Sequence, residues 1–340
     1  MPSGKAPAGT KPFFWVPLSK QGPERDSPLT HDRFRDWSGR LELEIEVVSE
    51  YLYVGSGNFE LFNLRGREQA YYAFARRDGQ LVIPGTSIKG AVRSVVEAIS
   101  NSCVRIVAGP THERGKIIKP DERPLFEKRA KFGNWAGCKS TEELCPACRM
   151  FGATGYRGRV HFSDAVPVDD VQTTTIKIAD LWPPRLFKER KFYQTKSFQQ
   201  RDMTLDENYR FLEVVPQGTR FRIVLFFENT TTAEMGLLVR ALGLDRHPQE
   251  EGKIICAFPI KIGGAKPYCL GSVCLIPKYL LTLSKRNLFQ SLLKGGEQQD
   301  IEAQVLEWLD DKSLLDQEAW AEFQKGARPQ RDIPCPKEVY

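Results

Sequence analysis

Long apolar runs are missing from this chain of 340 residues. Nothing in it approaches the roughly 20 consecutive apolar residues that a membrane-spanning helix requires. Histidine is scarce too, four in all, which leaves little for general acid–base catalysis of the histidine kind. Cysteine, at eight, is too sparse for a disulfide scaffold. Three of these cysteines crowd into Cys138–Cys148, which suggests a bound metal in a reducing compartment, and hence a cytoplasmic protein. Met1–Pro12 is polar and rich in small residues, unlike a signal peptide. Charged residues at 27% and hydrophobic ones at 41% exclude a disordered or collagen-like chain.

What is present is basic charge, unevenly placed. The net charge is +6, yet Glu297–Tyr340 holds 11 acidic residues against 5 basic ones. Leu61–Val160 holds 18 basic and 9 acidic residues. A basic body with an acidic tail suits binding of a polyanion.

Periodicity gives the elements. Arg40–Val48 alternates apolar and charged residues as a half-buried strand does. Pro84-Gly85 opens a helix whose apolar positions are Ile88, Val92, Val95, Val96 and Ile99. Arg159–Ala165 and Phe221–Phe227 are strands, Thr232–Leu242 is an amphipathic helix, and Leu270–Leu275 is a strand. This order predicts an α+β protein with a ferredoxin-like, RRM-type βαββαβ unit, although the aromatic RNP signature is absent. Val171–Phe211 is long, polar and aromatic without a core-forming period, and residues 300–325 predict an acidic amphipathic helix with Ile301, Val305 and Leu309 on one side.

Five constellations carry chemistry. In Ile83–Arg93 a Pro-Gly turn opens straight into a helix, presenting unpaired N–H groups beside Thr86 and Ser87, with Lys89 and Arg93 one turn apart. Such an N-terminus can cradle phosphate; it can equally be a capped helix with solvated cations. Cys138, Cys145 and Cys148 have spacing that can wrap a tetrahedral zinc ion. His112 is the candidate fourth ligand, with Cys103 and His161 behind it, and reduced structural cysteines are the plain alternative. Arg149, Phe151, Arg157 and Arg159 sit beside glycines, which allow a nucleic-acid backbone to come close. Arg185–Met203 interleaves Lys188, Lys191, Lys196 with Phe192, Tyr193 and Phe198, suited to phosphates and bases or to an ordinary hairpin. Gly263, Gly264 and Lys266 form a glycine loop able to hold phosphate in a backbone nest. Asp164, at a strand end, reads as a turn cap.

IPGTSIKGAVRS, CPACRMFG, GRVHFSDA and GGAKPYCLGSVCL occur here in an order that resembles the RAMP superfamily of CRISPR-associated proteins. The resemblance spans residues 12 to about 277 and looks closest to backbone subunits of type III effectors, subtype III-D in particular, with type VII subunits as near neighbours. It implies a palm (40–277) with a zinc-bound insertion (101–157) and a thumb hairpin (171–210); an extended arm (1–39) is expected before it, and an acidic helical tail (278–340), outside the resemblance, is expected to lie off the RNA path. It also implies that Ser87, Lys89, Arg93, the Arg149–Arg159 residues, the thumb residues and the glycine loop contact CRISPR guide RNA. Expected partners are the guide, complementary target RNA, copies of the same or related subunits, a 5′-handle cap subunit and a separate nuclease, with no membrane. Members that cut RNA use an Asp after the first strand. Tyr51–Arg77 has Glu60 and Glu68 but no Asp, so a non-cleaving scaffold with structural Zn2+ is expected. The alternative is a Mg2+-dependent endoribonuclease using Asp26, Asp32 or Asp36. A third reading, a processing nuclease for precursor RNA, would use His31 or His161.

Overall fold

The computed structural model describes residues 11–28, 31–104, 137–138, 141–181, 189–205, 207–283 and 288–337, and the backbone alone of 111–113 and 116–118. Its framework is β1 (Trp37–Val47), α1 (Gly85–Ile99), β2 (Val160–Phe162), β3 (Arg220–Thr230), α2 (Thr232–Ala241) and β4 (Ser272–Thr282). The alternation in β1 buries Leu41, Leu43, Ile45 and Val47 and turns Arg40, Glu42, Glu44 and Glu46 the other way. β1 lies centrally, antiparallel to β3 on one side and to β4 on the other; β2 pairs antiparallel with β3 beyond. The strand order β2–β3–β1–β4, with a helix after β1 and another after β3, is compatible with a ferredoxin-like fold. β4 runs past the boundary expected at 277, to Thr282.

α1 is a poor helix by composition, with Gly85, Gly90 and several β-branched residues. Those choices cost up to about 1 kcal/mol each. Ile88, Val92, Val96 and Ile99 are fully buried, and each such burial contributes roughly 1.5–3 kcal/mol. Packing therefore holds α1 in place. α2 begins at a capping box: Thr231 accepts from the Glu234 N–H, and Glu234 accepts from the Thr231 N–H.

A second sheet runs in the order Thr174–Ala179, Tyr209–Pro216, Arg67–Phe74, Gly55–Leu64. Part of the segment read as lacking a core period lies in it. Ile176 and Ile178 are buried in a small core with Leu212, Val214, Ala265, Tyr268 and Leu270, so the glycine loop rests on this sheet. Near its edge Glu213 accepts from Arg76, at 2.5 and 2.7 Å, from the Phe74 N–H and from Thr173.

The arm and the tail belong to the main core. Phe13–Val16 pairs with Arg190–Tyr193, and Phe14, Phe192 and Phe323 pack ring against ring. α3 (Ile301–Asp310) packs on α2, and α4 (Gln317–Ala327) packs on α1 and on Phe13–Val16. Val305, Trp308, Leu309 and Phe323 are buried there.

Two cysteine pairs that the spacing did not single out, Cys256–Cys274 and Cys269–Cys335, are bonded, with Cα atoms 6.0 and 6.1 Å apart. A count of cysteines carries no information about which strands bring them together. No helix among the described residues is long and apolar enough to cross a membrane.

Candidate nucleic-acid interface and metal centre

The N-terminus of α1 is set by close backbone approach. A Cβ on Gly85 would sit 2.3 Å from the Phe162 carbonyl oxygen, so only glycine lets α1 start against β2. Asp164 Oδ1 accepts from the Gly85 N–H at 2.8 Å, and its other oxygen pairs with Arg77 at 2.5 Å. Asp164 is thus a cap supplied to α1 from beyond β2. Ser87 N–H turns back to Pro84 O, while the Thr86 N–H has no partner among the described residues.

The glycine loop is fixed from the other side. Gly263 has φ +74°, and a Cβ there would meet the Tyr53 carbonyl oxygen at 2.0 Å; Gly264 N–H donates to that same oxygen at 2.8 Å. Loop and helix then face one another across a cleft of about 350 Å³, with Thr86, Ser87, Gly90, Ser94, Gly264 and Lys266 among its walls. The side chains that α1 contributes are all small. Lys266 is half-buried, has no hydrogen-bond partner among the described residues, and is held below the ordinary lysine pKa by desolvation. An ammonium group beside an open N–H and backbone glycines is an arrangement that can hold an anion. Lys261, by contrast, spends its ammonium on the Cys269 and Leu270 carbonyls at 2.7 and 3.1 Å.

Lys89, on the neighbouring face of α1, is half-buried and also lacks a partner among the described residues; burial first, then the Arg93 charge, lowers its pKa. Burial and the Lys89 charge lower His161 in turn, so its imidazole is neutral near pH 7. Arg93 points elsewhere. Its guanidinium donates to Glu97 at 2.7 Å, to Gly152 O at 2.8 Å and to Cys148 Sγ at 3.4 Å.

Those contacts lead to the metal centre. The sulfurs of Cys103, Cys138, Cys145 and Cys148 all lie within 4.8 Å of one another. Cys103 is 3.7 Å from Cys148 and 3.5 Å from Cys145, sulfur to sulfur. Four thiolates about 2.3 Å from a tetrahedral zinc ion stand about 3.8 Å apart, so this set fits zinc. The Cys138 and Cys145 thiols are drawn down, chiefly by hydrogen bonding with Cys103. The fourth sulfur is that of Cys103, at the end of the segment after α1; the side chain of His112 lies outside the described residues. Arg190, with its side chain 10% exposed, pairs with Glu97 at 3.6 Å and donates to the Ser102 and Cys103 carbonyls. Neither Arg190 nor Glu97 was foreseen, although Arg93 and Glu97 have the i,i+4 spacing of a helical ion pair.

Several cations expected on an RNA track have partners within the chain. Arg159 is fully buried and pairs with Glu234 at 2.5 Å. Arg149 is 12% exposed, between Asp26 and Glu234, and Phe151 is buried beside it. Arg157, on the surface, pairs with Glu228 at 2.6 Å. Lys196 is buried and donates to Lys11 O. Lys191 lies over the rings of Phe13 and Tyr193, at 4.0 and 5.1 Å. Phe192 is packed inward and Phe198 sits edge-on against Tyr51. Lys188 lies outside the described residues. Asp26, Asp32 and Asp36 do not line the cleft; Asp32 borders a larger, mainly apolar cavity of about 540 Å³ with His31 and Phe226.

The sequence profile of the RAMP superfamily matches residues 44–272, from β1 to the first residue of β4. The chain belongs to the RAMP superfamily. It is therefore a CRISPR-associated RNA-binding subunit of the kind that works in multi-subunit complexes. Both walls of the cleft and all four sulfurs of this RAMP protein fall inside the matched span. A search of curated proteins finds no match to the chain.

Proposed function

We propose that this RAMP protein is a guide-RNA-binding backbone subunit of a type III effector resembling subtype III-D, or of a type VII effector. The guide's sugar-phosphate backbone would pass through the cleft between α1 and the glycine loop. The observation that carries this is the meeting, across one cleft, of two motif blocks about 175 residues apart, with Lys266 left unpaired between them. Thr86 N–H and Ser87 supply donors without sequence preference, as a backbone binder needs. Lys89 stands next along α1 as a second phosphate contact. Arg93 acts from behind, holding α1 to the metal centre.

In this reading the subunit stacks with copies of itself or related subunits, captures complementary target RNA in the cytoplasm, and works beside a 5′-handle cap subunit. The zinc ion is structural: four sulfurs leave no open position for a substrate. Cleavage falls to a partner nuclease, because Tyr51–Arg77 offers no Asp and the candidates Asp26, Asp32 and Asp36 do not line the cleft. The Mg2+-dependent alternative would place its chemistry at those residues.

The test is filter binding of single-stranded RNA across a salt series, comparing wild type with Lys89→Ala, Lys266→Ala and the double variant. Each removed contact should weaken binding and reduce the slope of log K against log salt by about 0.7. Unchanged affinity and slope in the double variant would overturn the assignment. Labelled target RNA with Mg2+ addresses the alternative, which requires cleavage by wild type that is lost in an Asp32→Ala or Asp36→Ala variant.

A further inference from the structure

The turn that carries Lys266 has a costly backbone. It is a single 3-10 turn, Lys266–Tyr268, and the residues flanking it, Ala265 and Cys269, have φ +54° and +65°. A residue with a Cβ disfavours that left-handed region, so the surrounding structure must hold both ends in place. Two attachments act at Cys269. Lys261 Nζ donates to its carbonyl oxygen and to that of Leu270. Its sulfur, fully buried, is bonded to Cys335, 66 residues further on. The Cys335 sulfur also lies 3.6 Å from the Pro267 carbonyl oxygen, inside the turn. This bond arrives from a narrow strap. Gln330–Pro334 is a tail strand running parallel to Lys196–Ser197, with Arg331, Asp332, Ile333 and Pro334 exposed. Cys335 follows it, 3% exposed, and donates its N–H to Ser197 O at 2.7 Å. A strand exposed along most of its length opens locally at lower cost than the core, which gives a reagent its way to the bond.

We propose that Cys269–Cys335 is a redox switch for the cleft. Bonded, it clamps the Lys266 turn in place as a cleft wall; reduced, it frees the tail strand and lets the turn relax, and the cleft loses its hold on phosphate. The phosphate part rests on the guide-binding assignment, whereas the clamp does not. In a reducing compartment a bond of this kind is transient and serves sensing. The chemistry is exchange with a low-molecular-weight disulfide, RSSR. With the strap open, the Cys335 thiolate attacks one sulfur of RSSR, forming a mixed disulfide and releasing one thiolate. The Cys269 thiolate then attacks the Cys335 sulfur, closing the protein disulfide and releasing the second. Each cysteine gives up one proton, two electrons pass to RSSR, and two RSH leave. Two equivalents of thiol run the exchange backwards.

The experiment compares full-length protein oxidised with glutathione disulfide and reduced with a phosphine, at matched zinc content. A non-reducing tryptic digest of the oxidised protein should join residues 262–278 to residues 332–337. On reduction, hydrogen exchange across residues 266–271 should quicken, where the Tyr268, Cys269 and Gly271 amides are hydrogen-bonded. Filter binding of labelled single-stranded RNA should weaken by roughly 10- to 100-fold, the range for one charge-assisted contact. Cys335→Ser should exchange fast and bind weakly in both states, while Cys256→Ser, which breaks the other disulfide, should respond to reduction as wild type does. Reduction of wild type needs no variant, so the comparison stands if Cys335→Ser does not fold. Unchanged exchange across residues 266–271 overturns the clamp. Faster exchange with full RNA affinity overturns the switch. If neither state binds RNA, the guide-binding assignment falls and the switch with it, while hydrogen exchange still decides the clamp.

Discussion

Gly90→Ala should move stability and RNA affinity in opposite directions. Gly90 lies inside α1, exposed, and a Cβ built on it meets no atom within 4 Å. Glycine at such a position costs about 0.5–1 kcal/mol relative to alanine, and nothing in the free protein asks for it. Gly90 lines the cleft, where in the proposed role the guide lies against the helix. Alanine should therefore stabilise the free protein by about 0.5–1 kcal/mol. For a chain of this length that is a rise of only about 1 °C in Tm, best read by differential scanning of both proteins side by side. In the RNA complex the added methyl group occupies the approach of a phosphate or ribose oxygen. Loss of one charge-assisted hydrogen bond, about 1.5–3 kcal/mol, weakens binding by roughly 10- to 100-fold. Filter binding at fixed salt measures it. If Gly90→Ala gains stability and keeps full affinity, the backbone of the guide does not run past α1 at this point. A fall in Tm would show that the glycine serves the fold instead.

Three further outcomes follow from other parts of the structure. Purified protein should carry one equivalent of zinc, and Cys103→Ser should lower retention of the metal, measured by elemental analysis, whereas His112→Ala should leave it unchanged. Arg93→Gln should weaken metal retention by removing the donor to Cys148 Sγ, with Arg93→Lys restoring part of it; a loss of RNA affinity without loss of zinc would contradict this role. Burial raises the Glu213 pKa, but Arg76, the Phe74 N–H and Thr173 outweigh it, so the folded value is lowered. Its contribution to stability is thus present above the ordinary carboxylate pKa and lost as pH falls through the lower folded value. Glu213→Gln should cost about 1–2 kcal/mol near neutrality, because the Arg76 side chain is 34% exposed and solvent screens the pair, and should flatten the acid limb of a plot of stability against pH.

The parts legible in the sequence are those whose signal is local. β1 shows in its apolar–charged alternation because one face of a strand is buried and the other is not. α1 shows because Pro84-Gly85 marks its start and its apolar residues keep helical spacing. Val305 and Leu309, expected on one side of the tail helix, are buried together. What was not legible depends on contacts between distant segments. The meeting of Gly90 with Gly264 follows from strand order, which no residue near either position records. Lys89 and Arg93 look alike in sequence, and only the neighbours show that Arg93 is held by Glu97, Gly152 O and Cys148 Sγ. Arg159 reads as part of a basic track because charge says nothing of burial; Glu234 on α2 draws it into the interior. Cys103 was a lesser candidate than His112 because it lies 35 residues before Cys138, outside any motif spacing.

Phe14, near the start of the chain, packs against Phe323, near its end, and Gln330–Pro334 pairs with Lys196–Ser197. A ribosome adding about 5–20 residues per second needs roughly 15–60 s to pass from one phenylalanine to the other. During that interval the arm has no finished surface to lie on, and α1 lacks the cover that α4 will supply. The arm is thus placed only after α4, made long after it, is complete. In the proposed role, RNA engaging the nascent palm early would meet the cleft before α4 covers α1.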